Sequence, residues 1–114
     1  MLKERIRILE NANIISAESA SYVIGVIDEL ADSNLETGKM EMFTTHLAMA
    51  TERIIKKEAV DNLDEGIWAE VVKHASYEKA SVFYDKMVLK APIPYPEEEK
   101  RFLLMHLCNL FAEE

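Results

Sequence analysis

The sequence predicts an all-α protein, a compact bundle of five to six helices, and three observations carry that expectation. Apolar residues recur every three or four positions along most of the chain, the spacing of one face of a helix that turns about 100° per residue. Alternating apolar and polar runs of the strand type are nearly absent. Helix-breaking residues are scarce, with 3 Gly and 3 Pro in 114 residues, and the prolines all fall in the segment 92–96. A chain of this length is one domain's worth and can bury roughly two thirds of its unfolded surface in one core. No low-complexity segment or long linker divides it, so residues 1–114 are expected to form a single helical domain.

The first helix is expected over 2–12, with Leu2, Ile6 and Leu9 on one side. Ser16 suits the N-cap of a second helix over about 17–33, because a seryl oxygen can accept from the free amides of a first turn. Its stripe is Ala20, Val23, Ile27 and Leu30, widened by Ile24, Val26 and Ala31. Ser33 to Gly38 interrupts the pattern. A third helix runs from about Lys39 to Lys57, and Lys56 and Lys57 suit the negative end of its dipole.

Asn62 with Glu65 three residues later resembles a capping box. It would open a short helix carrying Ile67, Trp68, Val71 and Val72. Ser76 stands where it could cap a helix over about 77–90, with Ala80, Phe83 and Met87 inward. Ala91 to Pro96 reads as a loop, because its prolines lack amide donors and push the residues before them into extended conformations. Pro96 fits the first position of the last helix, and Glu97, Glu98 and Glu99 suit its positive end. That helix runs nearly to the end of the chain, where Glu113-Glu114 reads as a solvated pair.

Asp and Glu outnumber Lys and Arg by 21 to 13, a net charge of -8. An acidic surface without a Lys/Arg run repels phosphate backbones, so direct nucleic-acid binding is not expected. The N-terminal MLKERIRILENANI is charged and amphipathic, unlike a signal peptide, and no apolar run is long enough to span a membrane. Cys108 is the single cysteine, which excludes a disulfide framework and a thiolate-rich zinc site. The chain is expected to be a cytoplasmic protein.

Two histidines carry the functional signal. His46 and His106 are each followed by a leucine and each preceded, three residues back, by a large apolar residue, Phe43 or Leu103. On the helical wheel Phe43, Leu47, Ala50 and Ile54 form one stripe, and Leu103, Leu107 and Leu110 form another. Each histidine falls on the same flank of its stripe, at the rim of the core. Imidazole suits proton, phosphoryl and metal chemistry near neutral pH. The same positions suit rim residues that only pack and hydrogen-bond a neighbour. His74, near a helix C-terminus, reads as a surface residue.

The segments around both histidines resemble the signature of the PTS regulation domain (PRD), the helical module repeated in bacterial antiterminators and activators of sugar-uptake operons. In the first segment, Phe43 to Arg53, the matching residues are His46, Leu47, Ala50 and Arg53. In the second, Tyr95 to Leu107, they are Pro96, Glu99, Phe102, Leu103, His106 and Leu107. The two histidines stand 60 positions apart, from 46 to 106, which is also family-like. The resemblance extends over about residues 17–112 and leaves 1–14 as an extra N-terminal helix. The antiterminators usually place an acidic residue before the first histidine, where this chain has Thr45.

The resemblance implies a PRD-like fold and a regulatory protein that is not an enzyme. It implies that His46 and His106 are phosphoacceptor candidates, with the histidine phosphocarrier protein or a sugar permease component as donor. It also implies a homodimer whose equilibrium phosphorylation shifts. Arg53 and Glu99 are the supporting candidates. Arg53 lies about two turns after His46 on the same flank, so it could face a phosphoryl group or serve as a salt-bridge residue. Glu99 lies as far before His106 and could orient it or complement the helix dipole. No RNA-binding β module or DNA-binding segment is recognisable, so the chain resembles a stand-alone member.

An alternative is an interaction domain without phosphotransfer that pairs with another PRD regulator. A third reading, a metal-binding helical protein, needs further ligands. No His-x-x-x-His or Glu-x-x-His motif is present, and no cofactor is implied.

Overall fold

The computed structural model describes residues 2–112, so Met1 and the Glu113-Glu114 pair lie outside the described residues. Six α-helices make up the framework: α1 (Leu2–Asn11), α2 (Ala17–Leu30), α3 (Thr37–Ile55), α4 (Glu65–Lys73), α5 (Tyr77–Val88) and α6 (Glu97–Phe111). A 3-10 turn, Ala31–Ser33, extends α2. No strand occurs among the described residues. The chain is therefore all-α, as its periodicity predicts.

The apolar stripes meet in one core. Ile6 of α1, Val23 and Ile27 of α2, Phe43 and Leu47 of α3, and Leu103, Leu104 and Leu107 of α6 are buried in it, with Ala80 and Met87 of α5. Helix α3 packs against α1, α2 and α6, and α6 is covered in turn by α4 and α5. Phe43, Leu47 and Ala50 are buried as their stripe requires, while Ile54 is only partly covered. Three expectations about burial need correction. Ala31, in the 3-10 turn after α2, is exposed, and Ile24 is half-buried at the edge of a stripe whose centre is Val23, Ile27 and Leu30. On α4 only Val71 is buried, and Ile67 and Val72 stay exposed. Phe83 is half-buried, and Tyr84 beside it takes the inner position.

The helix ends show which cap residues the chain uses. Ser16 caps α2 as expected, its hydroxyl accepting from the Ser19 amide at 3.2 Å. The start of α3 lies at Thr37, two residues before the expected Lys39, because the Glu36 carboxylate accepts from the Gly38 and Lys39 amides. Asp64, not Asn62, caps α4, accepting from the Ile67 amide at 3.2 Å. The buried Leu63 just before it turns the chain inward and places Asp64 at the helix start. Ser76 stands at the N-cap of α5, but its hydroxyl donates to the Phe111 carbonyl of α6 instead. Pro96 is the N-cap of α6 rather than its first helical residue, with an extended ψ of 165°.

Candidate functional site

Helices α3 and α6 run side by side in opposite directions, and two side-chain pairs set their register. His46 of α3 stacks on His106 of α6, ring centroids 4.0 Å apart and planes 10° from parallel. Arg53, seven residues further along α3, meets Glu99, seven residues back along α6. Its Nε donates to Glu99 Oε2 and its Nη2 to Oε1, both at 3.0 Å. Seven residues are about two turns, or roughly 10 Å of rise. Equal steps in opposite senses are what antiparallel neighbours require. The two motif segments therefore interlock residue by residue, histidine on histidine and arginine on glutamate.

The pairs line one cleft of about 520 Å³, closed on one side by Ala59, Val60 and Asp61 from the segment before α4. His46 is exposed at its rim and His106 is half-buried beneath it. Burial pushes the His106 imidazolium down to about 4, and the neighbouring His46 ring acts in the same direction. His106 is thus neutral near pH 7, with one nitrogen lone pair available. Neither ring hydrogen-bonds another side chain or backbone group among the described residues, so the stack itself orients them.

Arg53 and Glu99 do not face the histidines as separate helpers. Glu99 is 1% exposed, and the fork of Arg53 satisfies both of its oxygens in the bidentate geometry that makes such pairs strong. Of the two roles open to Arg53 from the sequence, the salt bridge is the one formed. A second guanidinium approaches from α1. Arg5 donates from Nη2 to Thr45 Oγ1 at 3.1 Å, at the position before His46. Thr45 and His46 are about 100° apart on α3, so Arg5 comes from the α1 side and His106 from the α6 side.

The stack, the Arg5–Thr45 bond and the Asp61 wall were not foreseen from the sequence. No local pattern links position 5 to 45 or 61 to 106, because each contact depends on how separate helices dock. His74 lies at the surface as expected, and its Nδ1 accepts from the Ser76 amide at 2.9 Å. Among the described residues, no group of three or more His, Cys, Asp or Glu side chains is placed to hold a metal ion. No helix among them is long and apolar enough to cross a membrane.

The site is thus built from two separate motif segments of an all-helical domain, each supplying one histidine. The family model described as PRD domain matches residues 21–110, and the chain belongs to that family. PRD domains are regulatory rather than catalytic, and they interact with components of the phosphotransferase system. Comparison with curated proteins and with solved structures gives no match. Helix α1, with its Arg5, lies before the matched residues.

Proposed function

We propose that this chain is a phosphorylation-responsive regulatory domain of the sugar phosphotransferase system, with His46 and His106 as the phosphoacceptors. The observation that carries this reading is the meeting of two motif histidines, 60 positions apart in sequence, as a stack with centroids 4.0 Å apart. A phosphoacceptor imidazole needs an accessible, unprotonated nitrogen. His46 is exposed, and burial keeps His106 neutral at physiological pH. The donor is the histidine phosphocarrier protein or a sugar permease component. A phosphoryl group adds about two negative charges, and the output is a shifted dimerisation equilibrium, as a homodimer or with another PRD regulator. Residues 1–114 act as one cytoplasmic domain, with α1 as an addition to the family core.

The test is intact-mass analysis at alkaline pH after incubation with phosphoenolpyruvate and the general phosphotransferase components. A phosphoryl-sized gain is expected in the wild type, lost or relocated in His46→Ala and His106→Ala. No gain with active general donors and with a permease donor would sink the reading.

A second reading is favoured by one observation: the bidentate pair with the buried Glu99 offsets the charge of Arg53, so the pair brings no net positive charge to a phosphoryl group. The domain would then act as a pairing partner for another PRD regulator, without phosphotransfer. Under that reading the double variant His46→Ala/His106→Ala still binds its partner and still regulates. Under the first reading the same variant loses regulation.

A further inference from the structure

We infer that His46 and His106 form one phosphoryl site of capacity one, so that modification of either ring excludes modification of the other. The inference rests on the phosphoacceptor reading above and specifies how that site is regulated.

Three features of the cleft lead to it. The rings are in van der Waals contact, centroids 4.0 Å apart, and both line the same cleft. A phosphoryl group carries about two negative charges near neutral pH, so two of them on touching rings would set four charges within a few ångströms. The surroundings offer almost nothing to offset them. Arg53 is held bidentately by the buried Glu99, which cancels its charge, and Asp61 on the cleft wall adds a further negative charge. Arg5, bonded to Thr45 about 100° round α3 from His46, is a single further guanidinium for two phosphoryl groups.

The stack also rules out a relay between the rings while it holds. In-line transfer needs the acceptor lone pair to point along the breaking P–N bond. An imidazole lone pair lies in its own ring plane. Planes 10° from parallel carry both lone pairs along rather than across the gap. Each ring is therefore loaded from outside, and the first phosphoryl group to arrive closes the site. In that step the ring nitrogen lone pair forms the new P–N bond. The donor's P–N bond breaks with its electron pair kept by the donor nitrogen, which takes up the proton shed by the acceptor ring.

The test uses phosphoramidate, a chemical donor that releases ammonium and needs no protein partner. The background is His74→Asn, which removes the third histidine and keeps an acceptor for the Ser76 amide. Intact mass at saturation is expected to show one phosphoryl group on the two-histidine protein and one on each of His46→Ala and His106→Ala. His46→Asp, which replaces the ring by a charge, should label at His106 about tenfold more slowly than His46→Ala. Two phosphoryl groups on the two-histidine protein would overturn the inference. So would no label on either single variant, because the site would then have only one acceptor ring. A ceiling of one with phosphoramidate, together with no transfer from the phosphotransferase components, would instead sink the proposed function and leave the shared site standing.

Discussion

Glu99 is the least accessible charge in the cleft, 1% exposed, and among the described residues Arg53 alone pairs with it. Breaking such a pair from one side leaves a buried charge uncompensated and typically costs about 3–5 kcal/mol. Arg53→Met is therefore expected to destabilise the domain by about 3 kcal/mol in urea denaturation. Arg53→Met/Glu99→Met should recover most of that loss, since two apolar side chains can fill the same space. If the double variant were as unstable as the single one, the pair would not be the cause.

The histidine stack has its own signature. His106 takes up a proton near pH 4 in the folded state and near 6.5 when unfolded. Between those values the unfolded chain binds more protons, so stability is complete above pH 6.5 and falls as the pH drops toward 4. The slope is at most about 1.4 kcal/mol per pH unit, and solvent reaching the half-buried ring holds it below that limit. Wild type should lose stability between pH 6.5 and 5 more steeply than His106→Gln. Equal slopes would show that His106 titrates as it does in the unfolded chain.

At the scale of elements, the start of α2 is held by a residue of α3. Glu52 Oε1 accepts from the Ser16 amide and the Ser19 hydroxyl, both at 2.9 Å, and Lys56 lies 3.5 Å from its other oxygen. Burial alone would raise the pKa of Glu52, but the bonds from Ser16 and Ser19 and the charge of Lys56 together lower it. The stabilisation is present above the ordinary carboxylate range and is lost as the pH falls through the lowered value. Glu52→Gln keeps the shape and loses the charge, which should cost about 1–2 kcal/mol at pH 7 and vanish in strong acid. An unchanged difference from pH 7 to 3 would rule the charge out.

The elements also differ in how well local sequence marks them. Ser16 was legible because a seryl oxygen before an apolar stripe has few other uses. Asp64 was not separable from Asn62, since both are good caps and the choice fell to the burial of Leu63. The Glu36 cap carried no common signal, because glutamate caps by a longer reach around Gly38.

At the scale of the molecule, α1 belongs to the common core although it precedes the family match. Ile6 has no exposed surface and packs among residues of the main cluster, and Lys3 reaches Asp28 of α2 at 2.5 Å. Ile6→Ala is expected to cost about 2–5 kcal/mol. It should lower one cooperative transition for the whole chain. Separate melting of α1 ahead of the rest would show that it is an appendage.

The helices, their apolar faces and the two histidine motifs are legible in the chain, because periodicity and motif spacing are properties of neighbouring residues. The sequence could place His46 and His106 on equivalent flanks and put Arg53 and Glu99 two turns from each. That these residues answer one another follows from how the helices dock. The antiparallel docking of α3 on α6 stacks the rings and spends Arg53 on Glu99 instead of leaving it beside a histidine. It also brings Arg5 to Thr45 and Asp61 to the cleft. Such contacts depend on the relative placement of whole helices, which is settled by how the core packs and is not encoded in any one segment.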